Sequence, residues 1–478
     1  MVRIFNTLGG KKEEFKPIEP KKIKMFVCGS TVYDDAHMGH ARTYIAFDVI
    51  AKWLRHLGYD VNYIQNITDV DDKIIAKAKE RGEDPVELAR RYEARLMEDM
   101  KALGIDSVNA YPRSHDYIGA IKDQIQLLFD KGYAYPLDGD VYYDVAKFKD
   151  YRKLSGMKLE ELENHRVEPK EGKRNVYDFA LWKASRPGEP SWEISITING
   201  KEEKLTGRPA WHIEDTAITY SIFGPQYDIH GGARELLFPH HTNEIAQAEA
   251  AFGVVPFVRY WLHSGVLNVK GQKMSKSLKN FVTIREALAK YSAQSIRLLV
   301  CSTHYRKEIN YAEGLMEEAS RLVSYINQSL GILYNMAEDE SHDGSTLWKE
   351  IEGASKEFEG AMNDDFNTSL ALTSLISMMK SIRRFSEQSS SIDSKSKTAI
   401  MAMVKELGGG ILGILDNHIY TQRMPNEAKA LIEERELARK AKDFKKSDSI
   451  RDTLKNRYGI IIEDTKHGPI WKAEPKGF

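Results

Sequence analysis

Ile23-Lys24-Met25-Phe26-Val27-Cys28-Gly29 is an apolar, β-branched run that stops at a glycine, and it reads as a buried strand. A polar loop from Gly29 to Gly39 follows. Ala41 to Leu57 then carries apolar residues at Tyr44, Phe47, Ile50, Ala51 and Leu54, a spacing that predicts an amphipathic helix closed by Gly58. Val61-Asn62-Tyr63-Ile64 predicts the next strand. Strand, loop, helix, strand is the opening of a nucleotide-binding α/β unit, so the fold class is α/β with a Rossmann-like parallel sheet.

Outward from this unit the pattern changes three times. From about Tyr133 to Lys204 short β-like pieces alternate with turn signals such as Leu137-Asp138-Gly139-Asp140 and Arg186-Pro187-Gly188, which predicts an insertion between two halves of the α/β domain. The second half resumes near Gly207 with Tyr227-Asp228-Ile229-His230 and a helix from His240. Tyr311 to about Leu415 reads as almost wholly helical, broken by the loop Ser389–Ser394. From Asn426 a charged helix precedes a β-like end at Gly459-Ile460-Ile461-Ile462, and this segment holds thirteen Lys/Arg against ten Asp/Glu. Its charges from Glu433 to Lys446 predict a solvated helix face, with Arg435, Arg439 and Lys442 as candidates to meet RNA.

Composition narrows the possible functions. At 478 residues and 54.5 kDa the chain is too long for one core, so two to four domains are expected. Lys+Arg 69 against Asp+Glu 70 leaves a net charge of -1, so any nucleic-acid contact must come from local patches. Two cysteines, Cys28 and Cys301, exclude a disulfide framework and fit a reducing cytoplasm, with Cys301 expected in a core beside Leu298, Leu299 and Val300. No secretory signal or bilayer-length apolar run is present, so no membrane partner is expected.

Two motifs carry phosphate chemistry. His37-Met38-Gly39-His40 stands at a helix start, where free N–H groups and the helix dipole favour anions, and Gly39 lets a nucleotide approach closely. Lys273-Met274-Ser275-Lys276-Ser277 places two cations on a loop of small and polar residues that can close on developing pyrophosphate charge. Either alone is weak; both in this order resemble the HIGH and KMSKS sequences of a class I aminoacyl-tRNA synthetase. His240 and Glu244, four apart on an expected helix, share a face and form a reasonable half of a zinc site.

Longer strings make the resemblance specific. Cys28-Gly29-Ser30-Thr31-Val32-Tyr33-Asp34, Asn66-Ile67-Thr68-Asp69-Val70-Asp71-Asp72-Lys73-Ile74, Arg208-Pro209-Ala210-Trp211-His212-Ile213-Glu214 and Phe238-Pro239-His240-His241-Thr242-Asn243-Glu244 resemble the cysteinyl-tRNA synthetase family. So do Asn363-Asp364-Asp365-Phe366-Asn367-Thr368, Arg451-Asp452 and Gly459-Ile460-Ile461-Ile462-Glu463-Asp464-Thr465. The resemblance implies a monomeric, cytoplasmic ligase that activates L-cysteine with ATP and Mg2+ and transfers it to tRNA(Cys). It implies zinc ligated by Cys28, Asp215, His240 and Glu244. It places Gly29, Thr31, Thr68, Trp211 and His212 around the amino acid. Asp228, Gly231, Gly232, His37, Gly39, His40, Lys273 and Lys276 would meet ATP, with His37, His40, Lys273 and Lys276 catalytic.

The implied organisation is a catalytic half at residues 1–132, an insertion at 133–204 and a second half at 205–265. The KMSKS loop and stem-contact region at 266–310 follows, then a helical bundle at 311–425 and a small anticodon-binding domain at 426–478. A ligase that transfers cysteine to an amino sugar, and a catalytically weakened RNA-binding paralogue, are the alternatives. Asp215 departs from the pattern, which has cysteine after Trp-His-Ile-Glu. A carboxylate keeps the charge of the ligand set but offers zinc a harder oxygen.

Overall fold

The strand read at Ile23–Cys28 runs over Lys22–Thr31 and lies inside a four-stranded, wholly parallel sheet in the computed structural model. The structure describes residues 1–156, 170–198, 200–210, 212–269, 271–273, 280–415, 426–465 and 468–473. The strands lie in the order Val258–Ser264, Tyr227–Ala233, Lys22–Thr31, Asp60–Thr68. Chain order therefore reverses between the two central strands, and a crevice at such a reversal, outside the carboxyl ends, is where open α/β sheets bind ligands. Ile23, Met25, Phe26, Val27 and Cys28 are all buried, the near-continuous apolar run of a strand covered on both faces.

The helix Met38–His56 buries more than one stripe. Tyr44, Phe47, Val49, Ile50, Trp53 and Leu54 are joined by buried Arg42 and Asp48. Arg42 Nη2 donates to the Tyr305 carbonyl at 2.8 Å, and Asp48 pairs with Lys52 at 3.0 Å. The amphipathic reading was too simple here because polar side chains with partners are tolerated inside.

The chain divides into two compact units, Met1–Arg285 with Tyr305–Asn310, and Glu286–His304 with Tyr311–Phe478. Within the first, the insertion is a five-stranded antiparallel sheet ordered Ala134–Leu137, Asp140–Tyr143, Phe179–Ala184, Lys201–Pro209, Trp192–Ile198. Asp138 and Gly139, with φ of 51° and 82°, form the two-residue hairpin turn that needs left-handed backbone. The strand that begins at Lys201 runs past Lys204 to Pro209. At Gly207 a Cβ would fall 2.2 Å from the Lys183 carbonyl oxygen, so glycine permits the close pairing. Asp72, on the helix Asp72–Arg81, pairs with both Lys183 and Arg208 and ties this sheet to the parallel one.

The second unit is helical, with Glu313–Asn335, Ser345–Asn363, Thr368–Gln388 and Ser394–Val404. The string Asn363–Thr368 is the turn between two of these helices. Asp365 and Phe366 take φ of 66° and 52°, and the Asn367 side chain caps the next helix. The serine loop pairs in part, Ser391–Ile392 with Ala337–Glu338. Cys301 is buried beside Leu298, Leu299 and Val300.

The C-terminal segment has two helices, Asn426–Lys440 and Phe444–Tyr458, and a hairpin of Ile460–Thr465 with Gly468–Ala473. Arg435 corrects an expectation. It is buried, and both its terminal nitrogens grip Asp464 at 2.7 and 2.8 Å, with Arg439 on the same carboxylate. Arg435 therefore braces the hairpin from inside the fold, while Arg439 stays partly exposed.

Candidate active site

The carboxyl ends of Lys22–Thr31 and Asp60–Thr68 open into a cavity of about 320 Å³. Gly29, Thr31, His37, Gly39, His40 and Thr68 line it, with Cys28, Asp215 and His240 at one end. Gly29 has no alternative: a Cβ there would sit 1.6 Å from the Asn66 carbonyl oxygen.

His37 caps the helix Met38–His56. Its Nδ1 accepts from Gly39 N–H at 3.1 Å, while His40 Nδ1 accepts from His37 N–H at 3.3 Å. The two rings stack with centroids 3.9 Å apart. An Nδ1 that accepts leaves the proton on Nε2, so each ring is a neutral donor at Nε2. Desolvation, His37 and Lys73 hold His40 well below the usual histidine range, which keeps it neutral. The first-turn N–H groups are not free, contrary to the sequence reading. Met38 N–H donates to the Val282 carbonyl at 3.0 Å and His40 N–H to the His37 carbonyl at 2.8 Å. Anion contacts at this helix end therefore fall to imidazole Nε2.

The same Val282 contact, with Ile284 N–H donating to the Ala36 carbonyl at 2.9 Å, fastens the stretch after the second motif to the first. Ahead of it, Gln272-Lys273 pairs with Asn268 and Val269. Lys273 is placed by its backbone; Lys276 and Trp211 lie outside the described residues.

Cys28, Asp215, His240 and Glu244 come from a strand end, the first turn of the helix Ile213–Phe223, the wide turn Leu237–His241 and the helix Thr242–Phe252. Cys28 Sγ is 3.1 Å from His240 Nε2, 3.5 Å from Asp215 Oδ2 and 3.9 Å from Glu244 Oε1. His240 Nε2 is 3.1 Å from Asp215 Oδ2 and 3.3 Å from Glu244 Oε1. Donors around a tetrahedral ion with 2.0–2.3 Å bonds stand roughly 3.3–3.7 Å apart, so the spacing fits one. Charge fits too. Burial and the neighbouring carboxylates push the Cys28 thiol well up, and burial with Asp215 and Glu214 does the same to Glu244. Ionised Cys28 and Glu244 are thus disfavoured there, and a divalent cation relieves that. His212 and His241 stand near enough to be counted with these donors. His241, however, turns Nδ1 to His263 Nε2 at 2.8 Å. This is a candidate metal centre.

Three residues expected at the nucleotide do not line this cavity. Asp228 lies near the amino end of its strand, where its oxygens accept from Ile18 N–H at 2.7 Å and Lys24 N–H at 2.9 Å. A Cβ at Gly231 would meet Phe47 at 2.4 Å, and one at Gly232 would meet His241 at 2.7 Å. Those glycines admit a packed ring and an imidazole, and neither lines the cavity; Ala233 does. His212, with φ of 81°, opens on a second cavity of about 400 Å³ and sets its ring edge-on to His240, 3.6 Å between centroids.

Comparison with known proteins decides the family. Residues 14–321 match the family described as tRNA synthetases class I (C) catalytic domain, and residues 357–416 match the DALR domain. The chain is 44% identical to a cysteine–tRNA ligase of Thermococcus onnurineus over 98% of its length and 99% of that protein's. It is 42% identical to one of Thioalkalivibrio sulfidiphilus over 99% and 100%. The chain belongs to the cysteine–tRNA ligase family. In fold it is similar to Mycobacterium tuberculosis methionyl-tRNA synthetase bound by methionyl-adenylate. The TM-score is 0.58 at 16% identity, covering 82% of this chain and 92% of that one. Among the described residues no helix is long and apolar enough to cross a membrane.

Within this family member the sequence reading gave no role to Asn66, Lys73 or Glu214. All three line the cavity. All three fall within the family-like strings, but nothing in their spacing distinguishes them from their neighbours. Lys73 and Glu214 line both cavities, and burial beside Asp215 raises Glu214 well above the usual carboxyl range.

Behind the candidate metal centre lies a stack of neutral imidazoles. Desolvation and Arg234 hold His263 down at about 3, and its Nδ1 bonds the Thr7 hydroxyl at 2.8 Å. The folded ring stays neutral while the unfolded ring takes a proton below about 6.5, so stability falls as pH drops from 6.5 towards 3. His263→Gln is expected to remove about 2 kcal/mol of the loss between pH 7 and pH 5. Urea midpoints at the two pH values check this; an unchanged pH slope would refute it.

Proposed function

We propose that this ligase activates L-cysteine with ATP and Mg2+ and passes it to tRNA(Cys), using the cavity at the sheet's carboxyl edge. The observation that supports this best is one cavity shared by the His37/His40 pair and the Cys28, Asp215, His240, Glu244 donor set. In this reading the amino acid lies along Gly29, Thr31 and Thr68, with Trp211 and His212 beside it. Its carboxylate is the nucleophile, so the protein's task is to orient it at the α-phosphate and stabilise charge. His37 and His40 donate from Nε2 to phosphate oxygens. Lys273 and Lys276 neutralise pyrophosphate as it leaves.

Cys28, Asp215, His240 and Glu244 hold zinc in this account. Bound there, zinc supplies a soft Lewis acid that prefers the sulfur of cysteine to the hydroxyl of serine. An apolar pocket would separate those near-isosteres only weakly. A monomer working in a reducing cytoplasm is part of the same reading; Cys28 and Cys301, both buried and in no disulfide, support the reducing compartment. Charging of tRNA(Cys) transcript with cysteine tests it; failure to charge while folded and metal-loaded would overturn it.

The finer division of the chain is also proposed, with residues 426–478 binding the anticodon. Their basic excess supports it, although Arg435 is committed within the fold. Deleting Asn426–Phe478 is expected to spare ATP–pyrophosphate exchange and to raise the tRNA concentration needed for charging. Unaltered charging by the truncated, folded protein would place the anticodon contact elsewhere.

A further inference from the structure

Asn66 is buried near the end of the strand Asp60–Thr68, and its carboxamide joins the two segments that bring Cys28 and Asp215 together. Its Oδ1 accepts from Gly29 N–H at 2.7 Å, next to Cys28. Its Nδ2 donates to Asp215 Oδ1 at 2.5 Å and reaches Thr68 Oγ1 at 3.3 Å. The other oxygen, Asp215 Oδ2, turns to the donor set, 3.1 Å from His240 Nε2 and 3.5 Å from Cys28 Sγ. Glu244 Oε2, by contrast, has no hydrogen-bond partner among the described residues and only His230 Nδ1 nearby, at 3.6 Å.

A thiolate offers a metal one donor atom, whereas a carboxylate offers two and can bind through either or both. A charge-assisted hydrogen bond to one oxygen removes that ambiguity. The residue making it has little room to move, since its carbonyl oxygen lies where a Gly29 Cβ would be. We infer that Asn66 is a positioning residue that makes Asp215 a single-oxygen metal ligand, so that aspartate works where the family pattern has cysteine. The inference rests on the zinc reading above. It implies that the contribution of Asn66 to metal affinity depends on the carboxylate at 215, because sulfur accepts hydrogen bonds weakly.

The test is the zinc dissociation constant of the full chain, measured by competition with a chromophoric chelator. Four proteins are compared: native, Asn66→Ala, Asp215→Cys and the double variant. Loss of an outer partner of a ligand typically costs about 10–100-fold in affinity, and Asn66→Ala is expected to show that loss in the native background. In the Asp215→Cys background the same change should cost under about threefold, because the carboxylate it orients is gone. Equal losses in both backgrounds would mean that Asn66 only braces Gly29, and no loss in the native background would likewise overturn the inference. Should Asn66→Ala fail to fold, Asn66→Ser serves in the same four-protein comparison. A native protein that takes up no zinc would overturn the zinc reading itself, an outcome distinct from zinc binding without coupling.

Discussion

Cys28→Ala is expected to lower kcat/KM for cysteine in ATP–pyrophosphate exchange by more than the roughly 10–100-fold that loss of an outer partner of a ligand costs. Zinc content should fall with it. Cys28 Sγ faces three other donors at 3.1, 3.5 and 3.9 Å, so its removal opens one corner of the set and leaves two buried carboxylates against one imidazole. Cys301→Ala, in the core of the second unit, should leave kcat/KM for cysteine unchanged. A Cys28→Ala protein with stoichiometric zinc and native kcat/KM would remove Cys28 from the site.

Lys276→Ala should slow adenylate formation by about 2–4 kcal/mol, the cost of losing one donor aimed at transition-state charge, with a much smaller effect on ATP affinity. The described residues on either side of its loop support the placement. Lys273 is held by the pairing with Asn268, and Val282 is fastened to Met38, at the His37 end of the cavity. Pre-steady-state measurement of adenylate formation checks it, and an unchanged rate would sink the assignment.

Much of this fold was legible because its first unit obeys local rules. An unbroken apolar run made a central strand, and apolar spacing made the helix that follows. The donor set was only half legible. His240 and Glu244 are four residues apart and share a helical face, but Cys28 and Asp215 meet them through sheet order and helix packing, which no local spacing encodes. Family strings supplied those two residues. The strings gave no sign that Asp228 stands near the amino end of its strand, where its carboxylate accepts from Ile18 and Lys24 N–H groups.

Glycine was ambiguous for a physical reason. Gly231 and Gly232 do signal close approach, and Phe47 and His241 lie where a Cβ would be. The helix start was misread because His37 itself, with Val282, consumes the N–H groups that looked available. Arg435 was misread because its partner, Asp464, lies 29 residues on, across a turn and a second helix.

ATP–pyrophosphate exchange with cysteine and with serine, run before and after zinc is stripped from the full chain, tests the central claim most directly. The account predicts one zinc per chain, exchange with cysteine and far less with serine. It also predicts loss of cysteine exchange on stripping and recovery when zinc is returned. A metal-free protein that activates cysteine at the full rate and still rejects serine would contradict it.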